Sequence, residues 1–162
     1  MKYVKVEWDD EFRGFALDAN AYLTELPRLG PELPPGARAF VVDPEHYRVG
    51  ADRCVKDLEL AGVRLATDKS GSLVLDFAPN RWKHEEGLRI RYSGVAHFSV
   101  DYDHAIDWMA ADTVLFDEVL PDPAGCVHEI ALTDATVTVR CRDLDAVWGG
   151  GPNDPARPRT GY

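Results

Sequence analysis

The sequence predicts an α+β, β-rich fold, with a mostly antiparallel sheet of about seven or eight strands and two or three short helices. We expect this sheet to form a curved sheet, a sandwich or a partial barrel. Two observations lead to the prediction. Apolar and polar residues alternate along most of the chain, as they do in half-buried strands. Short turn sequences separate these segments, whereas a parallel sheet requires long helical crossovers between its strands.

Length and composition indicate one domain. The chain has 162 residues, of which 45% are hydrophobic and 28% charged, as is typical of a globular protein. We expect the domain to span residues 1–148. Residues 149–162 are rich in glycine and proline and are predicted to form a flexible tail, because they bury too little to offset the entropy lost on ordering.

Several features predict a bacterial cytoplasmic protein. No apolar segment is long enough to span a membrane, and the N-terminus lacks the apolar core of a signal peptide. The three cysteines have no CxxC spacing, which indicates reduced thiols. Arginine is in large excess over lysine, and we attribute this bias to a GC-rich bacterial genome.

The N-terminal part of the chain contains a strand, a helix and a second strand in this prediction. Between residues 4 and 8 every second side chain is apolar, which predicts a half-buried strand. Asp18 is a candidate N-cap for a helix over residues 19–26 that ends at Pro27. The prolines that follow predict a stiff connector into a short strand at residues 39–42.

The middle of the chain is predicted to contain strands. The alternation in residues 58–65 changes parity at Gly62, which predicts a β-bulge there. Residues 73–77 form the returning strand. The longest alternation covers residues 88–100, for which we expect one long strand that bends at Gly94.

Near the C-terminus we expect a short helix over residues 104–111 and a final β-hairpin. A turn at residues 134–135 would pair His128 with Cys141 and keep both apolar faces on one side of the hairpin. Residues 144–148 are predicted to close the domain as a short helical turn.

The common catalytic and nucleotide-binding motifs are missing from the sequence. It contains no GxGxxG, no GxxxxGK[ST], no GxSxG and no HExxH. The formal net charge is −10, so phosphate backbones would repel the chain. We therefore expect no cofactor, no nucleic-acid partner and no membrane partner.

Cys126, His128 and Cys141 form the first candidate site, because the predicted hairpin brings them to one face. Thiolate and imidazole ligands are typical of tetrahedral zinc. The competing interpretation is a packed core, since free cysteines are among the most deeply buried residues. We favour the core and predict no metal.

Four residues around the end of the long strand form the second candidate site. His104 is a candidate general base, oriented by Asp103 or Asp107. Asp101 and Asp103 are candidate ligands for Mg²⁺ or Ca²⁺. The alternative is a helix cap followed by a solvated acidic face.

Arg89, Arg91 and His97 lie on the polar face of the long strand and form a candidate ligand-binding site. Two arginines on one face suit a carboxylate or a phosphate. The alternative is that these arginines pair with cross-strand carboxylates such as Asp76 or Glu59.

Acidic clusters and loop aromatics are candidates for binding a partner. Asp9, Asp10 and Glu11 are consecutive, and Trp82 lies in a polar loop. A strong negative charge attracts basic proteins and speeds their encounter, and an exposed tryptophan is a typical interface anchor. The alternative is that these clusters, including the pair at residues 117–118, only keep the protein soluble.

Three functions follow from these observations. The leading one is a non-catalytic protein-binding module, of the inhibitor or immunity type, that covers a basic partner. The first alternative is a small metal-assisted hydrolase with its site at residues 101–107. The second alternative is a carrier of a small ligand. The chain is expected to be a monomer or a homodimer, because exposed sheet edges permit pairing.

Overall fold

The computed structural model describes residues 1–66, 70–103 and 113–149 of the chain. These residues contain two α-helices, one short 3₁₀ helix and ten strands, all of which pair antiparallel. The fold class is α+β and β-rich as predicted, but the structure contains more strands than the seven or eight that we expected. The elements are β1 (Lys5–Asp9), β2 (Gly14–Asp18), α1 (Asn20–Leu29), the 3₁₀ helix (Gly30–Glu32), α2 (Pro35–Val41), β3 (Glu59–Leu65), β4 (Leu73–Ala78), β5 (Leu88–Ser93), β6 (His97–Tyr102), β7 (Val114–Asp122), β8 (Gly125–Leu132), β9 (Ala135–Cys141) and β10 (Asp143–Trp148).

The strands form two four-stranded sheets and a separate hairpin. One sheet has the order β10-β5-β4-β3, the other has the order β6-β9-β8-β7, and β1 pairs with β2. The predicted long strand at 88–100 is divided into β5 and β6, which belong to different sheets. Gly94 lies between them with φ +60°, a backbone conformation that glycine adopts without strain. The bend predicted at Gly94 therefore carries the chain from one sheet into the other.

The two sheets are joined at two places and enclose one core. Across the bend, Arg142 donates its backbone N–H to Ser93 (2.9 Å), and Ala96 donates to Arg140 (2.9 Å). At the opposite edges, Glu59 and Thr113 form an isolated bridge. Buried side chains from both sheets belong to a single apolar cluster.

The strand register agrees with the sequence-based prediction at the bulge in β3 and differs from it in the final hairpin. The pairing of β3 with β4 shifts between Leu60 and Gly62, so the predicted bulge is confirmed. In the final hairpin, however, Cys126 lies opposite Cys141, and His128 lies opposite Val139. The register is therefore shifted by two residues from the predicted one, which keeps the same faces inward but changes every cross-strand partner.

Two other predicted elements are wrong. Residues 39–42 were expected to form a strand, but residues 39–41 form the last turn of α2. Residues 144–148 were expected to form a helical turn, but they lie in β10 and pair with β5. The predicted helix at 104–111 lies outside the described residues, as does the predicted tail after Gly149. In the described parts of the chain, no helix is long and apolar enough to cross a membrane.

Helix α2 packs against β10 and is capped by it. The Asp143 carboxylate accepts the backbone N–H groups of Gly36 (3.2 Å) and Ala37 (3.0 Å) at the start of the helix. A Cβ atom at Gly36 would lie 1.9 Å from the carbonyl oxygen of Leu144. The helix and the strand can approach this closely only because residue 36 has no side chain.

The N-terminus is held against the sheet by a buried carboxylate. Glu118 accepts backbone N–H groups from Lys2 (2.6 Å), Tyr3 (2.6 Å) and Val4 (2.8 Å). The N-terminal amine lies 2.6 Å from Glu129, which is more exposed. Glu118 thus satisfies three donors with one charged side chain and connects β7 to the segment that leads into β1.

Replacing Glu118 by glutamine is expected to release residues 2–4 from the sheet and to cost about 2–3 kcal/mol of unfolding free energy. The amide keeps one acceptor oxygen, while its NH₂ group faces N–H donors. Amide hydrogen exchange of residues 2–4, together with urea denaturation, measures the effect. Glu129→Gln is the matched control and should change stability little, because its ion pair is partly exposed. Unchanged exchange at residues 2–4 in Glu118→Gln would contradict this anchoring role.

Candidate functional site

Four hydrogen-bonded side chains run through the core, and we call them the histidine–aspartate chain (His46, Asp117, His128 and Tyr92). The Asp117 carboxylate lies between two imidazoles: His46 Nε2 is 2.7 Å from Oδ1, and His128 Nε2 is 2.9 Å from Oδ2. The Tyr92 hydroxyl lies 2.8 Å from His128 Nδ1. All four side chains are buried, and they connect both sheets with the segment that follows α2.

Asp117 is ionised in spite of its burial. Burial alone would raise the pKa of this carboxyl, but the interactions with His46 and His128 outweigh burial and hold the pKa well below its usual range. Burial also raises the pKa of Tyr92 and of Tyr47 well above the usual tyrosine value, so both phenols keep their protons. Tyr47 donates its hydroxyl to the backbone carbonyl of Asp117 at 3.2 Å.

The carboxylate determines which ring nitrogens carry protons. An ionised carboxylate only accepts hydrogen bonds, so both Nε2 atoms donate to Asp117. In a neutral His128 the other nitrogen is then an acceptor, and the Tyr92 hydroxyl donates to it. By the same reasoning, Nδ1 of a neutral His46 is an acceptor.

One end of the histidine–aspartate chain reaches a surface cleft of about 130 Å³, which we call the Trp148 cleft. His46 lines this cleft, although only 1% of the residue is exposed. The indole of Trp148 stacks on the imidazole of His84, with 6.1 Å between ring centroids. His84 is itself held by a 2.8 Å hydrogen bond between its Nε2 and the carbonyl of Cys54. The lining residues are Gly36, Ala39, Phe40, Asp43, His46, Arg53, Asp145, Ala146 and Trp148.

The second candidate surface is the hairpin formed by β1 and β2, which we call the acidic hairpin (residues 5–18). It pairs with no other strand in the described parts of the chain. It contains five acidic and two basic residues. Trp8 is 55% exposed and Phe12 is 61% exposed. The hairpin therefore presents two aromatic side chains within a negatively charged surface.

The tip of the acidic hairpin is ordered by its own side chains. Asp9 accepts the backbone N–H groups of Glu11 (2.8 Å) and Phe12 (3.2 Å). Asp10 accepts the indole N–H of Trp8 at 2.9 Å. The Trp8 ring packs edge-to-face on Phe15, with centroids 5.2 Å apart. These contacts hold the exposed indole in one orientation.

The other candidate residues for partner or ligand binding are distributed over the surface. Trp82 is 96% exposed in the loop before β5. Arg89 pairs with Asp76, with 2.6 Å between Nε and Oδ1, as the alternative interpretation expected. Its Nη2 is buried without a partner among the described residues. Arg91 is exposed on β5, whereas His97 is exposed on β6 of the other sheet.

The candidate zinc ligands are brought only partly together. The sulfur atoms of Cys126 and Cys141 lie 3.6 Å apart, and both residues are fully buried. Their contact raises the pKa of Cys126 and lowers that of Cys141. Both ring nitrogens of His128 are engaged by Asp117 and Tyr92 instead. In the parts of the chain that the structure describes, no three histidine, cysteine or acidic side chains are grouped to hold a metal ion.

The candidate catalytic cluster is described only in part. Asp101 is exposed on β6 and accepts the Ser99 hydroxyl at 2.9 Å. Asp103 is exposed and donates its backbone N–H to the carbonyl of Asp134. His104 and Asp107 lie outside the described residues.

The sequence interpretation missed the histidine–aspartate chain. It treated residues 117–118 as part of a solvated acidic surface, whereas Asp117 and Glu118 are each only 1% exposed. The sequence nevertheless indicated a buried polar network here. Both carboxylates interrupt an apolar strand, and a charge in such a strand requires buried partners.

Comparisons with known proteins give no relative for this chain. No protein-family model matches the sequence, and no curated protein matches it significantly.

Proposed function

We propose that the protein is a non-catalytic binding module that uses the acidic hairpin to bind a basic partner protein. The observation that supports this function is the exposure of Trp8 and Phe12 within an acidic surface. Large aromatic side chains that lose water on binding supply much of the affinity of protein interfaces. The surrounding carboxylates would pair with lysines or arginines of the partner and exclude proteins of like charge.

The order of the hairpin tip strengthens this proposal. Trp8 is already fixed by Phe15 and by the carboxylate of Asp10. A side chain that is ordered before binding loses little conformational entropy when the complex forms. The net charge of −10 adds a long-range attraction for basic proteins, which raises the association rate at low ionic strength.

Trp8→Ala is expected to weaken binding to a basic partner by about 30-fold or more, the usual effect of removing an interface anchor. The partner would first be captured at low salt, identified by mass spectrometry and purified. Its affinity for each variant would then be measured by isothermal titration calorimetry. The matched control is Trp82→Ala, which removes a more exposed indole outside the hairpin.

Two outcomes decide the proposal. Loss of affinity in Trp8→Ala with wild-type affinity in Trp82→Ala, and a wild-type affinity that falls with added salt, would support the acidic hairpin as the binding surface. Unchanged affinity in Trp8→Ala, or binding that is insensitive to salt, would contradict it.

A further inference from the structure

We infer that the Trp148 cleft binds a guanidinium group, such as the one at the end of an arginine side chain. This inference concerns a second site and does not depend on the acidic hairpin. The cleft combines three features that suit a planar cation with several N–H donors. These features are a buried acceptor nitrogen, two carboxylates and an aromatic wall.

When His46 is neutral, its Nδ1 is the buried acceptor. The other nitrogen of this ring is hydrogen-bonded to Asp117, so Nδ1 is the polar atom that the side chain can offer to the cleft. The hydrogen bonds of the described residues engage Nε2 of this ring and not Nδ1. The imidazole lines the cleft and packs edge-to-face against Phe40, with 4.4 Å between ring centroids.

Asp43 and Asp145 supply the negative charge. One oxygen of Asp43 accepts the backbone N–H of Glu45 at 2.9 Å, which orients its carboxylate. Asp145 is exposed on β10, and its carboxylate pairs with no side chain in the described parts of the chain. A guanidinium group has five N–H donors in one plane and no acceptor, so it matches carboxylates and an acceptor nitrogen together.

Among the described residues, Arg53 is the one basic residue other than His46 that lines the cleft, and it is exposed. The lining contains two carboxylates, Asp43 and Asp145, and one guanidinium, so its charge is −1 when His46 is neutral. This negative charge favours a cationic ligand over an anionic one. Trp148 adds an indole fixed by His84, and arginine stacks readily on such rings. A volume of about 130 Å³ suits a side-chain-sized group rather than a large cofactor.

This chemistry has two sources, an arginine residue in a polypeptide and a free guanidino compound. Nuclear magnetic resonance titrations of the intact protein would distinguish them. N-acetyl-L-arginine methylamide represents the polypeptide, and L-arginine represents the free metabolite. N-acetyl-L-citrulline methylamide has nearly the same shape without the charge and serves as the control ligand. The signals to follow are the His46 ring nitrogens and the Trp148 indole N–H.

We expect both arginine compounds to shift both signals, in the millimolar range typical of one side chain, and the citrulline compound to leave them unchanged. Tighter binding of N-acetyl-L-arginine methylamide would assign the site to a polypeptide arginine, and tighter binding of L-arginine would assign it to a free metabolite. Asp145→Asn should weaken binding by roughly tenfold, because a charged hydrogen bond is lost. Arg53→Ala should strengthen binding by about two- to fivefold, because it removes a like charge. Asp52→Asn, next to the cleft but not in its lining, is the matched control and should have no effect.

The variant at residue 53 gives the sharpest test. Stronger binding of N-acetyl-L-arginine methylamide in Arg53→Ala supports the inference, whereas unchanged or weaker binding would overturn it, because removing a like charge from the lining should favour a cation. Equal shifts with the citrulline compound, or no shift of His46 and Trp148 with either arginine compound, would overturn it as well. Neither result would bear on the role proposed for Trp8, because that residue is not part of the cleft lining.

Discussion

Replacing Asp117 by alanine is expected to lower the free energy of unfolding by about 3–5 kcal/mol, the usual cost of removing one partner from a buried charged network. His46 and His128 would each lose the acceptor of their Nε2–H group, and neither ring is exposed to water that could replace it. The buried donors would then carry the full cost of desolvation. Urea denaturation followed by tryptophan fluorescence measures the loss.

Two variants separate the missing charge from the missing volume. Asp117→Asn keeps the size of the side chain and one acceptor oxygen, but its NH₂ group faces a second N–H donor. We expect it to be destabilised by about 2–4 kcal/mol, close to the alanine variant. Asp101→Asn changes an exposed carboxylate on β6 and should lie within about 0.5 kcal/mol of the wild type. Near-wild-type stability of Asp117→Asn would show that the two hydrogen bonds contribute little.

The same carboxylate makes stability depend on pH. Because folding lowers the pKa of Asp117, its stabilising effect is complete above the unfolded value, about pH 4, and is lost as the pH falls toward the lower folded value. The difference in unfolding free energy between wild type and Asp117→Asn should therefore shrink as the pH falls below about pH 4. A difference that stays constant or grows as the pH falls from about 4 toward 2 would contradict a lowered pKa of Asp117.

Sequence patterns predicted the features that depend on neighbouring residues. The parity change at Gly62 predicted a bulge because an extra residue reverses the alternation of side chains, and the register of β3 shows that shift. The glycine at position 94 predicted a bend, which the structure contains. The bend does more than expected, because it passes the chain from one sheet to the other. Alternation within a strand says nothing about which sheet each half joins.

The errors occur where distant residues decide the local structure. Residues 39–42 are apolar and partly β-branched, which favours a strand, but Asp143 caps α2 from more than 100 positions along the chain. Residues 144–148 have apolar positions compatible with a helical turn, but β5 offers them a complete set of strand partners. Tertiary contacts of this kind override local propensity, and one sequence does not reveal them.

Of the candidate functional residues, the sequence predicted only those that lie on the surface. The consecutive acidic residues at 9–11 and the tryptophan at position 82 are apparent from the sequence. Asp10, Glu11 and Trp82 are exposed, whereas Asp9 is partly buried. The histidine–aspartate chain joins His46 to Asp117, which are 71 positions apart, and no spacing rule connects them. The apolar residues around Asp117 indicated that this carboxylate needed partners, but they did not identify which ones.

Gly36→Ala is expected to destabilise the protein by about 2–4 kcal/mol, although alanine favours helices. A Cβ atom at this position would lie 1.9 Å from the Leu144 carbonyl oxygen and 3.0 Å from the Asp143 carboxylate. The nearer neighbour is a backbone atom, which cannot rotate out of the way, so α2 would have to move away from β10. That movement would stretch the hydrogen bonds that the Asp143 carboxylate accepts from the first turn of the helix. The loss of such a cap costs about 1 kcal/mol.

Gly30→Ala is the control that isolates this contact. Gly30 follows α1 with φ −53°, and a Cβ atom there would meet no atom of the other described residues within 4 Å. The same substitution should therefore be neutral or stabilising by about 0.5–1 kcal/mol, because alanine restricts the unfolded chain. Thermal denaturation of both variants gives the comparison. If Gly36→Ala were as stable as Gly30→Ala, the close approach of α2 to β10 would not be needed for the fold. A selective loss would establish that the wall of the Trp148 cleft formed by α2 and β10 depends on a residue without a side chain at position 36.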